Sequence, residues 1–176
     1  MKLMIASDLH GSAACTRRLM EAYTREQPDK LLLLGDILYH GPRNDLPEEY
    51  APKLVIAMLN PLKEKILCVH GNCDAEVDQM VLDFPITAES LSLDLDGRTL
   101  VAVHGHHPVP ALSAGDVLVS GHTHVPLCEQ CEGVWYLNPG SVSIPKENSP
   151  HSYMVYEAGT FLWKTLNGEE YRRHTL

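Results

Sequence analysis

The sequence has no apolar run near the roughly 18 residues that a membrane-spanning helix needs. Its start is interrupted too soon, by Ser7 and Asp8, to form a secretory signal peptide, so we expect a cytoplasmic protein without a membrane partner. An excess of positive charge is also missing, since 23 acidic and 14 basic residues give a formal net charge of -9. The chain lacks the basic field of non-specific nucleic-acid binding, so nucleic acid is not expected as a partner.

An even set of cysteines is missing, and the odd count of 5 without a secretory signal favours reduced thiols over a disulfide framework. Cys128 and Cys131 have C-x-x-C spacing. A zinc site would need a second pair, and a redox site would need a helix start, so we interpret this segment as a hairpin with incidental cysteines. The length of 176 residues and the hydrophobic share of 44% predict one globular domain over residues 1–176.

The first half of the chain alternates apolar runs with helical patterns. Strands are predicted over 2–7, 31–34 and 66–70, and helices over about 12 residues after Ser12 and over about 52–60. Ser12 is a typical helix N-cap, and Pro52 is tolerated in a first turn. This order of elements predicts crossover connections and a mainly parallel sheet.

The second half is rich in strands and shows no long helix. Strands are predicted over 90–95, 99–104, 117–120, 134–137, 153–156 and 161–165. The turn residues at 94–98 and 157–160 predict two hairpins. We therefore expect an α/β protein with a second sheet that is largely antiparallel.

Five predicted apolar strands are followed directly by residues of the types that bind metals. The segments are Asp8-Leu9-His10, Gly35-Asp36, Gly71-Asn72-Cys73-Asp74, His104-Gly105-His106 and Gly121-His122-Thr123-His124. Ligands of open α/β sheets gather beyond the carboxyl ends of the strands, so these segments are expected to meet. Carboxylate, imidazole and carboxamide donors suit Mn, Fe or Zn better than Ca. Each segment alone fits an ordinary turn, but five such endings in one chain favour a metal site.

These segments, followed by Asn138-Pro139-Gly140-Ser141, resemble the five blocks of the calcineurin-like metallophosphoesterases, in the family's order over residues 8–124. The resemblance is closest to the compact YfcE-type bacterial phosphodiesterases. It implies an α/β fold in which two mixed β-sheets pack face to face and are flanked by helices, as a four-layer sandwich. It also implies ligands for two divalent ions: Asp8, His10 and His124 for the first, Asn72, His104 and His122 for the second, and Asp36 bridging both.

The resemblance implies that the protein hydrolyses phosphodiesters, with a bridging hydroxide between the ions as the nucleophile. Mn²⁺ is the ion that we expect first, with Fe, Zn or Ni as alternatives. Family members often form dimers or tetramers, so a homo-oligomer is a further expectation. The expected substrate is a small phosphodiester of unspecified identity.

Cys73 departs from the family's more common Gly-Asn-His block, in which the histidine is thought to help protonate the leaving group. A thiol with a pKa near 8.5 is a poorer general acid at neutral pH than an imidazole. The YfcE-type subgroup also carries cysteine here and favours diesters. The sequence therefore predicts a diesterase over a monoesterase, and the alternative is that Cys73 only fills a tight turn.

Three more residues are assigned less specific roles. Arg43 follows the Asp36 block and suits bidentate binding of a phosphate, although a solvent-facing position is an alternative. His106 is expected to orient a ligand near the substrate, or else to be a turn residue. Asp74 joins Asn72 and Cys73 in the predicted catalytic loop, which its carboxylate would support.

Three other functions remain as alternatives. A phosphomonoesterase would need an effective proton donor, and Cys73 disfavours it. A non-catalytic scaffold, such as the retromer subunit with this fold and an impaired site, would have lost ligands, whereas all seven positions are filled here. A nuclease is disfavoured by the net charge of -9.

Overall fold

A computed structural model describes residues 1–176 of the chain. The strands are β1 (Leu3–Ala6), β2 (Lys30–Leu33), β3 (Ile66–Cys68), β4 (Ser90–Leu95), β5 (Arg98–Val103), β6 (Val117–Val119), β7 (Leu127–Cys131), β8 (Val134–Asn138), β9 (Ser152–Glu157), β10 (Thr160–Thr165) and β11 (Glu170–Thr175). The helices are α1 (Ala13–Glu26) and α2 (Pro52–Leu59), and short 3₁₀ helices cover Asn60–Leu62 and Glu76–Met80. No helix combines the length and apolar character needed to span a bilayer.

The first sheet has the strand order β11-β10-β9-β1-β2-β3. β1, β2 and β3 are parallel, as the sequence predicts, and β9 joins β1 antiparallel on the other side. β1 is fully buried because its residues contact apolar groups on both faces of the sheet. The three parallel strands therefore direct their carboxyl ends to the same edge.

Local signals define the ends of both helices. The Ser12 side chain accepts a hydrogen bond from the Cys15 N–H and caps α1, as the sequence predicts. α1 ends at Gln27, which is left-handed with a φ of 50°, directly before Pro28. α2 begins at Pro52, whose missing N–H costs nothing in a first turn.

The second sheet has the strand order β4-β5-β6-β8-β7 and mixes parallel with antiparallel pairs. Both hairpins predicted from the turn residues are present. Asp96 and Gly97 have φ values of 56° and 89°, and Ala158 and Gly159 have 46° and 79°. Positive φ at both central residues matches the right-handed twist of the flanking strands.

Two strands, β7 and β11, were not predicted from the sequence. The hairpin expected around residues 128–131 is present, since residues 127–131 form a strand that pairs antiparallel with β8 across a two-residue turn. Both strands lie at a sheet edge, and neither shows the alternating apolar pattern because few of their side chains are buried. Pairing with a neighbouring strand, rather than burial, determines these two elements.

The sheets pack face to face, as the resemblance implies. Apolar side chains from both sheets, among them Ile5, Leu100 and Trp163, fill the space between them. α1 and α2 cover the outer face of the first sheet. The outer face of the second sheet carries no helix and is covered in part by Leu112 of the β5–β6 connection, so helices flank the sandwich on one side only. Two prolines in that connection, Pro108 and Pro110, disfavour a helix there.

Candidate metal centre

All five predicted segments meet at one edge of the sandwich, where β1, β2, β3, β5 and β6 end. The structure brings together the imidazoles, carboxylates and carboxamide of the seven predicted ligand positions, which are Asp8, His10, Asp36, Asn72, His104, His122 and His124. Most of these side chains are buried. Both sheets therefore contribute to one site.

Most of the site's backbone is in the left-handed region, which non-glycine residues rarely occupy. Five of the seven positions have φ between 47° and 65°, namely Asp8, His10, Asp36, His122 and His124. Such a conformation costs about 1 kcal/mol or more per residue, and it persists only where surrounding contacts enforce it. Strain concentrated at one edge of the sheets is typical of a functional site.

The contacts that hold Asp8 come from the segment after β8. Ser141 Oγ and Ser143 Oγ donate to the Asp8 carbonyl over 3.0 Å and 2.9 Å. Asn138 Nδ2 donates to the Gly121 carbonyl over 2.8 Å and so supports the loop that carries two histidines. The Asn-Pro-Gly-Ser segment therefore contributes to the backbone geometry of the site rather than a metal ligand.

Glycine is required at two positions of the predicted segments, Gly71 and Gly121, because other parts of the backbone approach them closely. A Cβ on Gly71 would collide with the Asp36 backbone and carboxylate, and a Cβ on Gly121 would collide with the Ser7 side chain. Glycine therefore allows the strand ends to come as close as the shared site requires.

Asp8, His10 and His124 form the first cluster of ligand atoms. Asp8 Oδ1 lies 3.3 Å from His124 Nε2 and 3.7 Å from His10 Nε2. The Nδ1 atoms of His10 and His124 lie 2.8 Å and 2.6 Å from the carbonyls of Tyr39 and Ile144, to which they donate. Both Nε2 atoms then present lone pairs.

This first cluster fits a cation. Asp8 Oδ1 is buried and accepts no hydrogen bond, and the two Nε2 atoms facing it lie 3.3 Å apart. Three acceptor atoms that face one another without a donor repel each other unless a positive ion lies between them. The residues present therefore fit a divalent metal.

Asp36 connects this cluster to a second group of ligands. Its Oδ2 atom lies 3.7 Å from His10 Nε2 and 3.5 Å from His104 Nε2. His104 Nδ1 donates to the Leu34 carbonyl over 2.6 Å, so its Nε2 is also a free acceptor, 3.0 Å from Asn72 Oδ1. The Asp36 carboxylate thus contacts ligands of both predicted metal positions.

His122 lies beside the second group. Its backbone N–H donates to Asp8 Oδ2 over 3.1 Å, and its ring centroid lies 5.1 Å from that of His104. Burial and then the neighbouring His104 lower the pKa of His122, which favours the neutral imidazole that binds metals.

Both carboxylate oxygens of Asp74 accept hydrogen bonds from backbone N–H groups. Its Oδ2 accepts from the N–H groups of Asp36 and Gly71 over 2.9 Å and 2.8 Å, and its Oδ1 accepts from the Ile37 N–H over 2.8 Å. The carboxylate therefore ties the chain after β2 to the chain after β3, which is the supporting role considered for it.

Cys73 lies in the site with its thiol beside the amide of Asn72. Its backbone N–H donates to Asp36 Oδ1 over 2.8 Å, and its Sγ lies 3.2 Å from Asn72 Nδ2. Burial, followed by the neighbouring Asp36, raises the pKa of the Cys73 thiol to about 12.

A cavity of about 460 Å³ opens over the ligands. Arg43 lines it, as predicted for a substrate contact, and so do Thr123 and Lys146, which the sequence analysis missed. Lys146 belongs to no motif and is brought in because its N–H donates to the His124 carbonyl over 3.3 Å. His106 lies outside this cavity, with its ring centroid 5.2 Å from that of His104.

Cys128 and Cys131 contribute no site. Both lie on β7, where residues three apart point to opposite faces of the sheet. All five cysteines are free. The C-x-x-C spacing is therefore incidental.

Residues 1–160 match the model of the calcineurin-like phosphoesterase superfamily domain. The chain belongs to this family, and it is a metal-dependent phosphoesterase. It is 51% identical over 173 residues to phosphodiesterase YfcE of Escherichia coli K12, which covers 96% of this chain and 94% of that protein.

Several solved structures are similar over nearly the whole chain, including the following two. A structure of YfcE from E. coli, described as a phosphoesterase, has a TM-score of 0.95 at 46% identity and covers 99% of both chains. Zinc-bound Vps29 from Entamoeba histolytica has a TM-score of 0.68 at 20% identity over 99% of both chains, which shows a shared fold alone.

Proposed function

We propose that this protein is a phosphodiesterase that works through a dinuclear metal centre. The observation that carries the proposal is the position of Asp36, whose carboxylate contacts His10 of one ligand group and His104 of the other. A carboxylate shared in this way suits two ions held close together. The 51% sequence identity to phosphodiesterase YfcE of E. coli, over nearly the whole chain, supports a diester as substrate.

The proposed ligands divide as the family resemblance implies. Asp8, His10 and His124 would hold one ion, Asn72, His104 and His122 would hold the other, and the Asp36 carboxylate would be shared between them. When bound, two divalent ions would supply a nucleophile by lowering the pKa of a bound water and would offset the charge of the phosphate. The backbone carbonyls that accept from His10, His104 and His124 fix the tautomers that leave Nε2 free for metal.

The residues around the cavity bind and orient the substrate. Arg43 and Lys146 provide two positive charges beside the ligands in a chain of net charge -9. The Arg43 guanidinium suits two phosphate oxygens at once, and Lys146 suits a charged substituent. Together they attract an anionic diester to a site on an otherwise acidic protein.

Cys73 accounts for a preference for diesters over monoesters. In this position it offers a thiol where many family members offer an imidazole, so proton transfer to a poor leaving group is weak. Replacing it by Cys73→His is expected to raise monoester hydrolysis relative to diester hydrolysis by at least about tenfold. The measurement is kcat/KM for both substrates in both proteins, and an unchanged ratio contradicts the assignment.

The activity itself is tested with bis-(p-nitrophenyl) phosphate and p-nitrophenyl phosphate side by side. Metal-stripped protein is assayed before and after Mn²⁺ is added back. We expect Mn²⁺-dependent diester hydrolysis, little monoester hydrolysis, and at least about a hundredfold loss in Asp36→Ala. Metal-bound protein that hydrolyses neither ester would favour a non-catalytic scaffold, and efficient monoester hydrolysis would favour a phosphomonoesterase.

Three further assignments stay predictions from the sequence. Mn²⁺ is proposed as the working ion, with Fe, Zn and Ni as alternatives. A cytoplasmic location and a homo-oligomer are likewise expected. The complete ligand set favours catalysis over a scaffold role.

A further inference from the structure

A second cluster of metal-binding side chains lies next to the candidate metal centre and shares no residue with its seven ligands. His70, Glu89 and His106 each offer one ligand atom, and these atoms all lie within 4.8 Å of one another. The neighbouring His107 adds another imidazole, with its Nε2 atom 3.7 Å from Glu89 Oε2. His106 belongs to the segment His104-Gly105-His106, but neither the family resemblance nor the proposed dinuclear centre makes His70, Glu89 or His106 a metal ligand.

The fold brings the three residues together from separate elements. The His70 N–H donates to the Ala88 carbonyl over 2.8 Å, which places the residue after β3 beside Glu89. Ser90 pairs with Val103, so Glu89 also lies near the end of β5, where His106 follows. The cluster therefore bridges the ends of strands from the two sheets.

Two ring nitrogens of this cluster are left without partners. The Nδ1 atoms of His70 and His106 are both buried and make no hydrogen bond. His70 Nδ1 is 3.9 Å from Glu89 Oε1, too far for a direct hydrogen bond, and the two imidazole rings lie 6.4 Å apart. A bound cation would satisfy both ring nitrogens and the carboxylate together.

We propose that His70, Glu89 and His106 form a third metal site, which takes Zn²⁺. Two imidazoles and one carboxylate are a donor set typical of zinc sites that keep an open fourth position. Imidazole-rich sites bind Zn²⁺ and Co²⁺ more tightly than Mn²⁺. The site is partly exposed, since the Glu89 side chain is 62% accessible, so Zn²⁺ is expected to exchange with solvent.

Zn²⁺ binding to metal-stripped protein, followed by isothermal titration calorimetry, tests this site. The variants are His70→Ala and Glu89→Ala, and Glu157→Ala is the matched control because its side chain is 61% accessible and lies elsewhere. We expect the wild type and Glu157→Ala to bind one more equivalent of Zn²⁺ per chain than the other two variants. Circular dichroism checks that all four proteins are folded.

The same titration in an Asp36→Ala background separates this site from the dinuclear centre. In that background, the one equivalent of Zn²⁺ that depends on His70 should still bind, although the loss of Asp36 weakens binding of ions at the dinuclear centre. Equal Zn²⁺ counts in the wild type, His70→Ala and Glu89→Ala would overturn the third site, as would an equal loss in Glu157→Ala. Either result would concern the third site alone, since binding of the ions that depend on Asp36 and the proposed function are tested separately.

Discussion

The Asp74 carboxylate accepts hydrogen bonds from three backbone N–H groups, those of Asp36, Ile37 and Gly71. These groups lie in the loops that carry Asp36 and Asn72. The sequence predicts that this aspartate supports the loop that carries Asn72. Only the tertiary structure reveals that its oxygens are already occupied by the backbone.

Asp74→Asn is therefore expected to lower the free energy of unfolding by about 2–3 kcal/mol, because an amide NH₂ would face a backbone donor in a buried place. Urea unfolding of the metal-free protein measures this loss. Asp45→Asn, at an exposed position, is the control and should change stability by less than about 0.5 kcal/mol. Equal stabilities for the two variants would contradict the supporting role of Asp74.

Lys146 is exposed at the edge of the cavity, so its charge is expected to help substrate binding rather than chemistry. For Lys146→Ala we expect KM for a diester to rise about fivefold with kcat nearly unchanged, as for the loss of a contact worth about 1 kcal/mol. Steady-state kinetics with Mn²⁺ gives both constants. The exposed Lys63→Ala is the control, and a KM equal to that of the wild type in Lys146→Ala would exclude the contact.

For single residues, the sequence predicts which side chains serve as ligands better than it predicts their backbone conformations. The ligand residues could be identified because they directly follow apolar strands. The left-handed backbone of Asp8, His10 and Asp36 is not, because nothing in these residue types requires a positive φ. Lys146 was missed for a similar reason, since only the folded loop after β8 brings it to the cavity.

Helix α1 is fastened to the first sheet by Glu26 near its C-terminal end. The carboxylate lies 2.6 Å from Lys164 Nζ on β10 and 3.4 Å from Lys2 Nζ, and it accepts from Tyr153 on β9 over 2.9 Å. Burial raises the pKa of Glu26, but the bonds from Lys164 and Tyr153 outweigh this and leave the pKa below its ordinary 4.5. The ionised form is therefore favoured in the folded state.

A lowered pKa in the folded state means that Glu26 stabilises the protein above the unfolded value near 4.5, and that this contribution disappears as the pH falls through the lower, folded pKa. Glu26→Gln should therefore unfold more easily than the wild type at pH 7, by about 1 kcal/mol. The difference should shrink as the pH falls below 4.5. Urea unfolding at several pH values measures it, and a difference that does not change with pH would refute the ion-pair explanation.

Elements with a buried face or an alternating apolar pattern could be predicted from the sequence, and the two edge strands that have neither could not. α1 has both a capping serine and an apolar face, and β1 and β2 are short apolar runs that end at glycine or aspartate. β7 and β11 have no such pattern, because their neighbours supply hydrogen bonds while most of their side chains face solvent.

In the whole molecule, the candidate metal centre exists only because two sheets end at the same edge. Its ligands are spread from residue 8 to residue 124, and they follow strands of both sheets. The family resemblance predicts this sandwich. The missing helical layer outside the second sheet was not foreseen, since the five blocks carry no information about the β5–β6 connection.

In the proposed mechanism, two ions that share Asp36 act together on a phosphodiester. This is tested by measuring the rate of bis-(p-nitrophenyl) phosphate hydrolysis against the Mn²⁺ bound per chain, starting from metal-stripped protein. The rate is expected to reach its plateau only when two ions are bound, and the rate of Asp36→Asn is expected to stay at least about a hundredfold below that plateau. A full rate with one bound ion, or without metal, would contradict the dinuclear mechanism.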